Sequence, residues 1–170
     1  MYAQQIRDDL VKKKIKMFNL IGSPGAGKTS VLENLLPLFK KNGLKVAVIE
    51  GDCTTTKDAD RIAALDIPVL QINTGNSCHL DANLIHKALV DLDYESLDYV
   101  IVENVGNLVC PAEFDIGEAA KIAVISTTEG DEKPLKYPLL FHECDFVILT
   151  KTDLIPYTNF DMDNFVTGLS

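Results

Sequence analysis

Eight residues near the N-terminus, Gly22-Ser23-Pro24-Gly25-Ala26-Gly27-Lys28-Thr29, leave this chain few folds to choose from. They fit the pattern G-x-x-x-x-G-K-[ST]. Four specified positions of this kind arise by chance in roughly one chain in a hundred, or fewer, at this length and at average composition. The surroundings agree with the pattern. Lys16-Met17-Phe18-Asn19-Leu20-Ile21 is an apolar run of strand length, and Val31-Leu32-Glu33-Asn34-Leu35-Leu36 returns to apolar residues at helical spacing. A strand, a glycine-rich turn and a helix N-terminus make a phosphate cradle. The glycines let successive N–H groups turn inward, and the helix adds its partial positive charge. In such a cradle the stretch from Gly22 to Ser30 holds a nucleotide, Lys28 reaches the β/γ-phosphates, and the Thr29 hydroxyl takes Mg²⁺.

The 170 residues, 46% hydrophobic and 24% charged, describe an ordinary globular chain with a substantial core, and one domain spanning residues 1–170 is expected. No apolar run approaches the roughly 18 residues of a spanning helix, and the N-terminus has no signal-peptide core, so a cytoplasmic protein away from membranes is expected. Nucleic-acid binding is driven by basic surface, which a net charge of -9 opposes. The four cysteines, Cys53, Cys78, Cys110 and Cys144, are too few for a disulfide scaffold; metal binding or plain burial suits them better.

Strands and helices alternate along the chain. Residues 1–14 predict a polar helix whose basic end, Lys12-Lys13-Lys14, reads as a solvated face. The helix after the glycine-rich loop should stop near Asn42-Gly43. Further strands are predicted at 45–50, 67–72, 99–103, 122–126 and 146–149, a capped short helix over 58–62, and helices at 80–92, 135–144 and 161–168. This is the pattern of a P-loop NTPase, a three-layer α/β fold with a mainly parallel sheet flanked by helices. Ligands in such folds sit beyond the carboxyl ends of the strands.

Acidic residues close two of those strands. Asp52 and Glu103 are placed to hold Mg²⁺ with Thr29 and to orient an attacking water, which makes them candidate catalytic groups beside Lys28. Thr150-Lys151-Thr152-Asp153 follows the last strand. There Asp153 can accept hydrogen bonds from guanine, and the stem of Lys151 can pack on the base. Cys78, His79 and Cys110 lie in loops; two thiolates and an imidazole suit Zn²⁺ or Ni²⁺. Three ligands leave a tetrahedral structural site incomplete, so such a site is either open or completed by a second subunit. From spacing alone, buried unpaired cysteines are the simpler reading. Cys53 has a weak case as a ligand. Cys144 reads as core, and His86 and His142 read as structural or surface residues.

The chain resembles the hydrogenase nickel-incorporation GTPases of the HypB type, within the wider group of metallochaperone P-loop GTPases. The resemblance rests on residues 22–29; on Gly51-Asp52 with Thr54 and Asp58-Ala59-Asp60-Arg61-Ile62; on Thr74-Gly75 leading to Cys78-His79-Leu80-Asp81-Ala82; on Glu103-Asn104-Val105-Gly106-Asn107-Leu108-Val109-Cys110-Pro111; and on 128–138. It implies binding of GTP/GDP with Mg²⁺, slow hydrolysis, and Ni²⁺ or Zn²⁺ on Cys78, His79 and Cys110. It also implies a homodimer formed through the metal-site region in the GTP state, and a HypA-type nickel chaperone and a hydrogenase large subunit as partners. Relatives of this type continue through another strand, a guanine loop and a final helix, so the resemblance implies a C-terminally shortened chain. Thr150 stands where the family has Asn, which should weaken guanine recognition or the tie between that loop and residues 22–29. Two other classes compete: a P-loop kinase or ATPase without guanine selection, and a non-catalytic metal-binding module.

Overall fold

The computed structural model describes residues 1–52 and 55–170; Cys53 and Thr54, with the readings placed on them, lie outside the described residues. Six strands are found among the described residues: β1 (Lys16–Ile21), β2 (Val46–Asp52), β3 (Val69–Asn73), β4 (Tyr99–Glu103), β5 (Ala120–Ser126) and β6 (Phe146–Thr150). They form one sheet in the order β3-β2-β4-β1-β5-β6, and every neighbouring pair is parallel. The run β1, β2, β3 grows to one side of the sheet. The later strands return beside β1 and extend to the other, so the glycine-rich loop after β1 opens where the order reverses.

The inner strands are apolar because both of their faces are covered. Successive residues go to opposite faces. Val100 and Val102 pack beneath α1 (Tyr2–Lys13) and α4 (Ala82–Asp91) with Ile6, Leu10, Ile85 and Leu89, whereas Ile101 joins Leu32 and Leu36 of α2 (Lys28–Lys41) and Ile62 of α3 (Lys57–Ala63). A third cluster gathers Ile21, Ala123 and Ile125 with residues of α5 (Cys110–Glu113), α7 (Pro138–Glu143) and α8 (Met162–Gly168). Between the first and third clusters, on the same sheet face, Asn19 is wholly buried and bonded to Glu118.

Several expectations shift. The helix expected over 135–144 is two helices, α6 (Lys133–Lys136) and α7. Pro138 has no N–H to continue the first, and it holds Tyr137 out of helical geometry at φ -126 and ψ 59. Strand β2 runs on to Asp52, which takes Gly51 into the sheet. Helix α4 begins at Ala82, because the Asp81 side chain accepts the Leu84 N–H at 2.8 Å and caps it there. The cap expected for the short helix α3 is missing, since Thr56 makes no side-chain cap and its hydroxyl donates to Asp60. Lys13 is not simply solvated. It donates to the Tyr94 hydroxyl at 2.9 Å and pairs with Glu95 at 3.0 Å and Asp9 at 3.3 Å, pinning α1 to the turn after α4.

Two outcomes follow in thermal and urea melts. Leu36→Ala, which empties a fully buried position, should cost about 2–5 kcal/mol. Lys13→Ala should lower Tm more than Lys12→Ala or Lys14→Ala; equal effects of the three would mean the pinning contributes nothing.

Candidate functional site

The glycine-rich loop takes its shape from positions that tolerate no side chain. Gly25 and Gly27 have φ of 76° and 97°, a left-handed region that other residues avoid. A Cβ on Gly22 would lie 2.6 Å from the Val124 carbonyl oxygen of β5. Inside the loop Lys28 is buried, and its Nζ donates to the carbonyls of Gly22 (3.0 Å) and Ser23 (3.2 Å). Burial lowers its pKa, with Glu103 foremost among the carboxylates that oppose this. Thr29, on the first turn of α2, donates to Glu103 Oε1 at 2.7 Å.

A cavity of about 430 Å³ opens over this loop, with Asp52, Asp58, Arg61, Glu103 and Lys151 around it. Carboxylate oxygens of Glu50, Asp58 and Glu103 lie within 4.8 Å of one another, a set able to hold a divalent cation. Glu50 and Glu103 stand side by side in register on β2 and β4. Both are buried, and each keeps one oxygen, Glu50 Oε1 and Glu103 Oε2, with no protein partner. Burial, then the hydrogen bond and charge of Glu103, push the Glu50 carboxyl far above the usual carboxylate range. Asp52, expected from sequence to share the cation with Glu103, sits on the wall of the same cavity and accepts from Thr55 Oγ1 at 3.1 Å. The carboxylates grouped with that of Glu103 are those of Glu50 and Asp58. Sequence reasoning gave these two no role, although an acid ending an apolar strand run, as Glu50 does, is itself a signal.

A second, more apolar cavity of about 540 Å³ adjoins the first, lined by Val31, Leu35, Leu38, Thr150, Lys151 and Asp153 among others. Lys151 borders both cavities. The tie from this loop to the phosphate loop is intact despite Thr150: its hydroxyl donates to the Ala26 carbonyl at 2.6 Å, and Lys151 Nζ donates to that of Gly25 at 2.8 Å. A β-branched hydroxyl thus makes the connection expected to weaken.

Ligand atoms of Cys78, His79 and Cys110 also lie within 4.8 Å of one another. Cys78 Sγ is 3.7 Å from His79 Nδ1, and the proximity of Cys78 raises the Cys110 thiol pKa. The His79 ring stacks on Phe114, with centroids 3.8 Å apart and planes 10° apart, a contact that no sequence motif announced. Cys110 lies on a segment folded onto the phosphate loop. Asn107 N–H donates to the Gly22 carbonyl at 3.0 Å, Asn107 Oδ1 accepts the N–H groups of Val109 and Cys110, and Gly106 leaves room for Pro24, which a Cβ would meet at 2.7 Å. The other candidates stay apart. Cys144 is half-buried in the third cluster, its thiol pushed up to about 12 by burial; His86 packs at a tilt against Tyr2, and His142 is exposed beside Glu143. No helix among the described residues is long and apolar enough to cross a membrane.

A glycine-rich phosphate loop at the reversal point of a parallel sheet, with carboxylates facing its Thr and Lys, defines a P-loop nucleotide-binding domain. The pattern of the CobW/HypB/UreG nucleotide-binding domain matches residues 16–168, and the chain belongs to that family. Within it the similarity is to hydrogenase maturation factor HypB: 49% identity over 162 residues with the Azotobacter vinelandii protein and 47% over 165 with that of Escherichia coli K12. These matches take in 95% and 96% of this chain but 53% and 56% of the relatives, so the chain spans about half the length of the curated proteins it matches. The crystal structure of HypB from Helicobacter pylori in complex with nickel superposes with a TM-score of 0.90 at 39% identity, over 99% of this chain and 79% of that one. The signal recognition particle receptor FtsY of Elizabethkingia anophelis, at 18% identity and a TM-score of 0.64, shares the fold alone.

Glu50→Gln tests the charge balance of the cavity. Because the folded pKa of Glu50 lies above the unfolded one, the folded state binds the extra proton, and stability falls as pH rises above about 4.5. The glutamine variant escapes that loss. Without nucleotide or metal it should melt with the wild type near pH 4.5 and above it at pH 8, by about 1 kcal/mol or more, one pKa unit being worth about 1.4 kcal/mol. A gap that does not widen with pH would contradict the assignment.

Proposed function

We propose that this chain is a GTP-binding and GTP-hydrolysing metallochaperone domain that carries nickel or zinc and serves hydrogenase maturation. The observation that carries the reading is the placement of Cys78, His79 and Cys110 together on two segments, one of which is bonded directly to the phosphate loop. A metal site so placed can answer to the state of the nucleotide. In this reading Gly22 to Ser30 cradle the phosphates, Lys28 neutralises them, and Asp153 with Lys151 selects guanine beside the apolar second cavity. Mg²⁺ belongs with Thr29, Glu103 and Asp52. The unpartnered oxygens of Glu50 and Glu103 fit a divalent cation, and Asp58 stands near enough to join them. Bound there, the cation supplies positive charge to the phosphates.

The soft donor set of two thiolates and an imidazole suits Ni²⁺ and Zn²⁺ alike. Two copies meet at this region in the GTP state, and a HypA-type nickel chaperone and a hydrogenase large subunit exchange the metal with it in the cytoplasm. The similarity to HypB proteins, one of them crystallised with nickel, supports this assignment.

Size-exclusion chromatography with metal analysis, in GDP and in a non-hydrolysable GTP analogue, is the direct test. The wild type should shift towards a dimer with the analogue and carry metal. Lys28→Ala should lose the shift. Cys78→Ala and Cys110→Ala should each bind nickel and zinc at least about 10-fold more weakly while still binding GTP. Unchanged metal affinity in both cysteine variants would remove the metal assignment, and ATP binding as tight as GTP would remove the guanine one.

A further inference from the structure

The segment that carries Cys78 and His79 meets the nucleotide site through the next residue, Leu80. Its side chain is wholly buried against Gly51 of β2, where a Cβ would meet two Leu80 atoms at 2.8 Å; Gly51 lies between Glu50 and Asp52. Its backbone N–H belongs to no strand or helix. It donates to Asn104 Oδ1 at 3.1 Å, and Asn104 directly follows Glu103.

Asn104 is buried, and every polar atom of its side chain amide that the fold can reach is used. Oδ1 accepts a second N–H, from Val105, at 2.9 Å, and Nδ2 donates to Asn19 Oδ1 at 3.1 Å. Asn19 passes the chain on to Glu118 Oε1 at 3.2 Å, and Glu118 Oε2 accepts the Ile116 N–H. These partners fix the orientation of the Asn104 amide, because a flip would set its NH₂ against two N–H donors. One side chain therefore joins the Cys78–His79 segment to the start of the segment that ends in Cys110.

We propose that Asn104 is the positioning residue that couples the two sites: it sets the distance between the two ligand-bearing segments and passes to it any movement at the end of β4. The inference rests on the nucleotide-responsive metal site proposed above. A nucleotide that draws Glu103 towards the cation moves Asn104, its chain neighbour. Leu80 must then follow, because leaving its buried N–H unpaired is costly. Cys78 and His79 are the two residues before it. Coupling of this kind needs an element that both sites bias, and Asn104 touches one segment from each.

The test compares zinc affinity, by competition with a chromophoric chelator, in GDP and in a non-hydrolysable GTP analogue. For the wild type the ratio of the two affinities should fall in the range of about 5–150-fold typical of coupled sites. Asn104→Ala should bring it to within about twofold of one. Asn104→Asp, which keeps the acceptor oxygen for Leu80 and Val105, should retain most of it. A wild-type ratio of one removes the coupled switch and this inference with it. A wild-type ratio that persists in Asn104→Ala, or that vanishes equally in Asn104→Asp, overturns the inference alone. Should Asn104→Ala fail to fold, amide hydrogen exchange at Leu80 in the unmodified protein decides. A protected Leu80 N–H in both nucleotide states is expected, because the bond is kept as the two segments move together; free exchange in either state overturns the proposal.

Discussion

The hydrogen bond from Thr29 to Glu103 at 2.7 Å joins the two halves of the site, the anion cradle and the carboxylates opposite it. Bringing them together creates an electrostatic problem that the rest of the cleft has to answer. Glu50, Asp58 and Glu103 hold oxygens within 4.8 Å, two of the three residues are buried, and the loop beside them is shaped to receive phosphate. Anions packed this closely at low dielectric repel strongly. Lys28 supplies one positive charge, and burial weakens its hold on the proton. Burial and the neighbouring Glu103 raise the Glu50 pKa, so a proton there relieves part of the remaining excess. A divalent cation offers a second relief, and it is the one compatible with phosphate binding, since it satisfies carboxylates and phosphate at once. The acidic cluster and the glycine loop are therefore two parts of one charge balance.

Much of this was legible in the sequence, for identifiable reasons. The strands announced themselves because a parallel sheet buries both faces, so β1, β2, β4 and β5 read as nearly unbroken apolar runs. The phosphate loop was legible because its φ values and close contacts admit few residues. Glu50 was hard to see for the converse reason: it was counted as the last residue of an apolar run, and only the register of β2 against β4 shows that it faces Glu103. The cysteine site was invisible to spacing, since Cys78 and Cys110 belong to loops after different strands, β3 and β4, and which loops meet is decided by strand order. Thr150 keeps a tie to the phosphate loop although it is not the family's Asn, because the bond to Ala26 needs only one donor at the right place.

Two glycines matter more for approach than for flexibility. Gly51 admits Leu80, and Gly106 admits Pro24. Each removes one side chain's thickness from between the nucleotide site and a neighbouring segment, so the loops that carry Cys78–His79 and Cys110 both bear directly on the phosphate-binding machinery. Contacts between backbone and a packed side chain are stiff, because a protein interior close-packed at these distances transmits displacement instead of absorbing it. In the coupling proposed above, that stiffness carries a change at the phosphates to Cys78 and Cys110 without a long-range rearrangement.

In the proposed reading the metal at Cys78, His79 and Cys110 is cargo, and a cargo site has to let go. A structural zinc site is closed by four protein ligands, and its binding free energy becomes part of the folding free energy. Here Cys78, His79 and Cys110 are three candidate ligands from one chain, which leaves at least one position for a water, an incoming partner or a second copy. Metal binding must displace the thiol protons, and the Cys110 thiol, its pKa raised by Cys78, holds its own more firmly than usual. An open coordination position weakens retention. In the transfer role proposed above, a moderate hold leaves the nucleotide state, and not the intrinsic affinity of the ligands, to decide when the metal leaves.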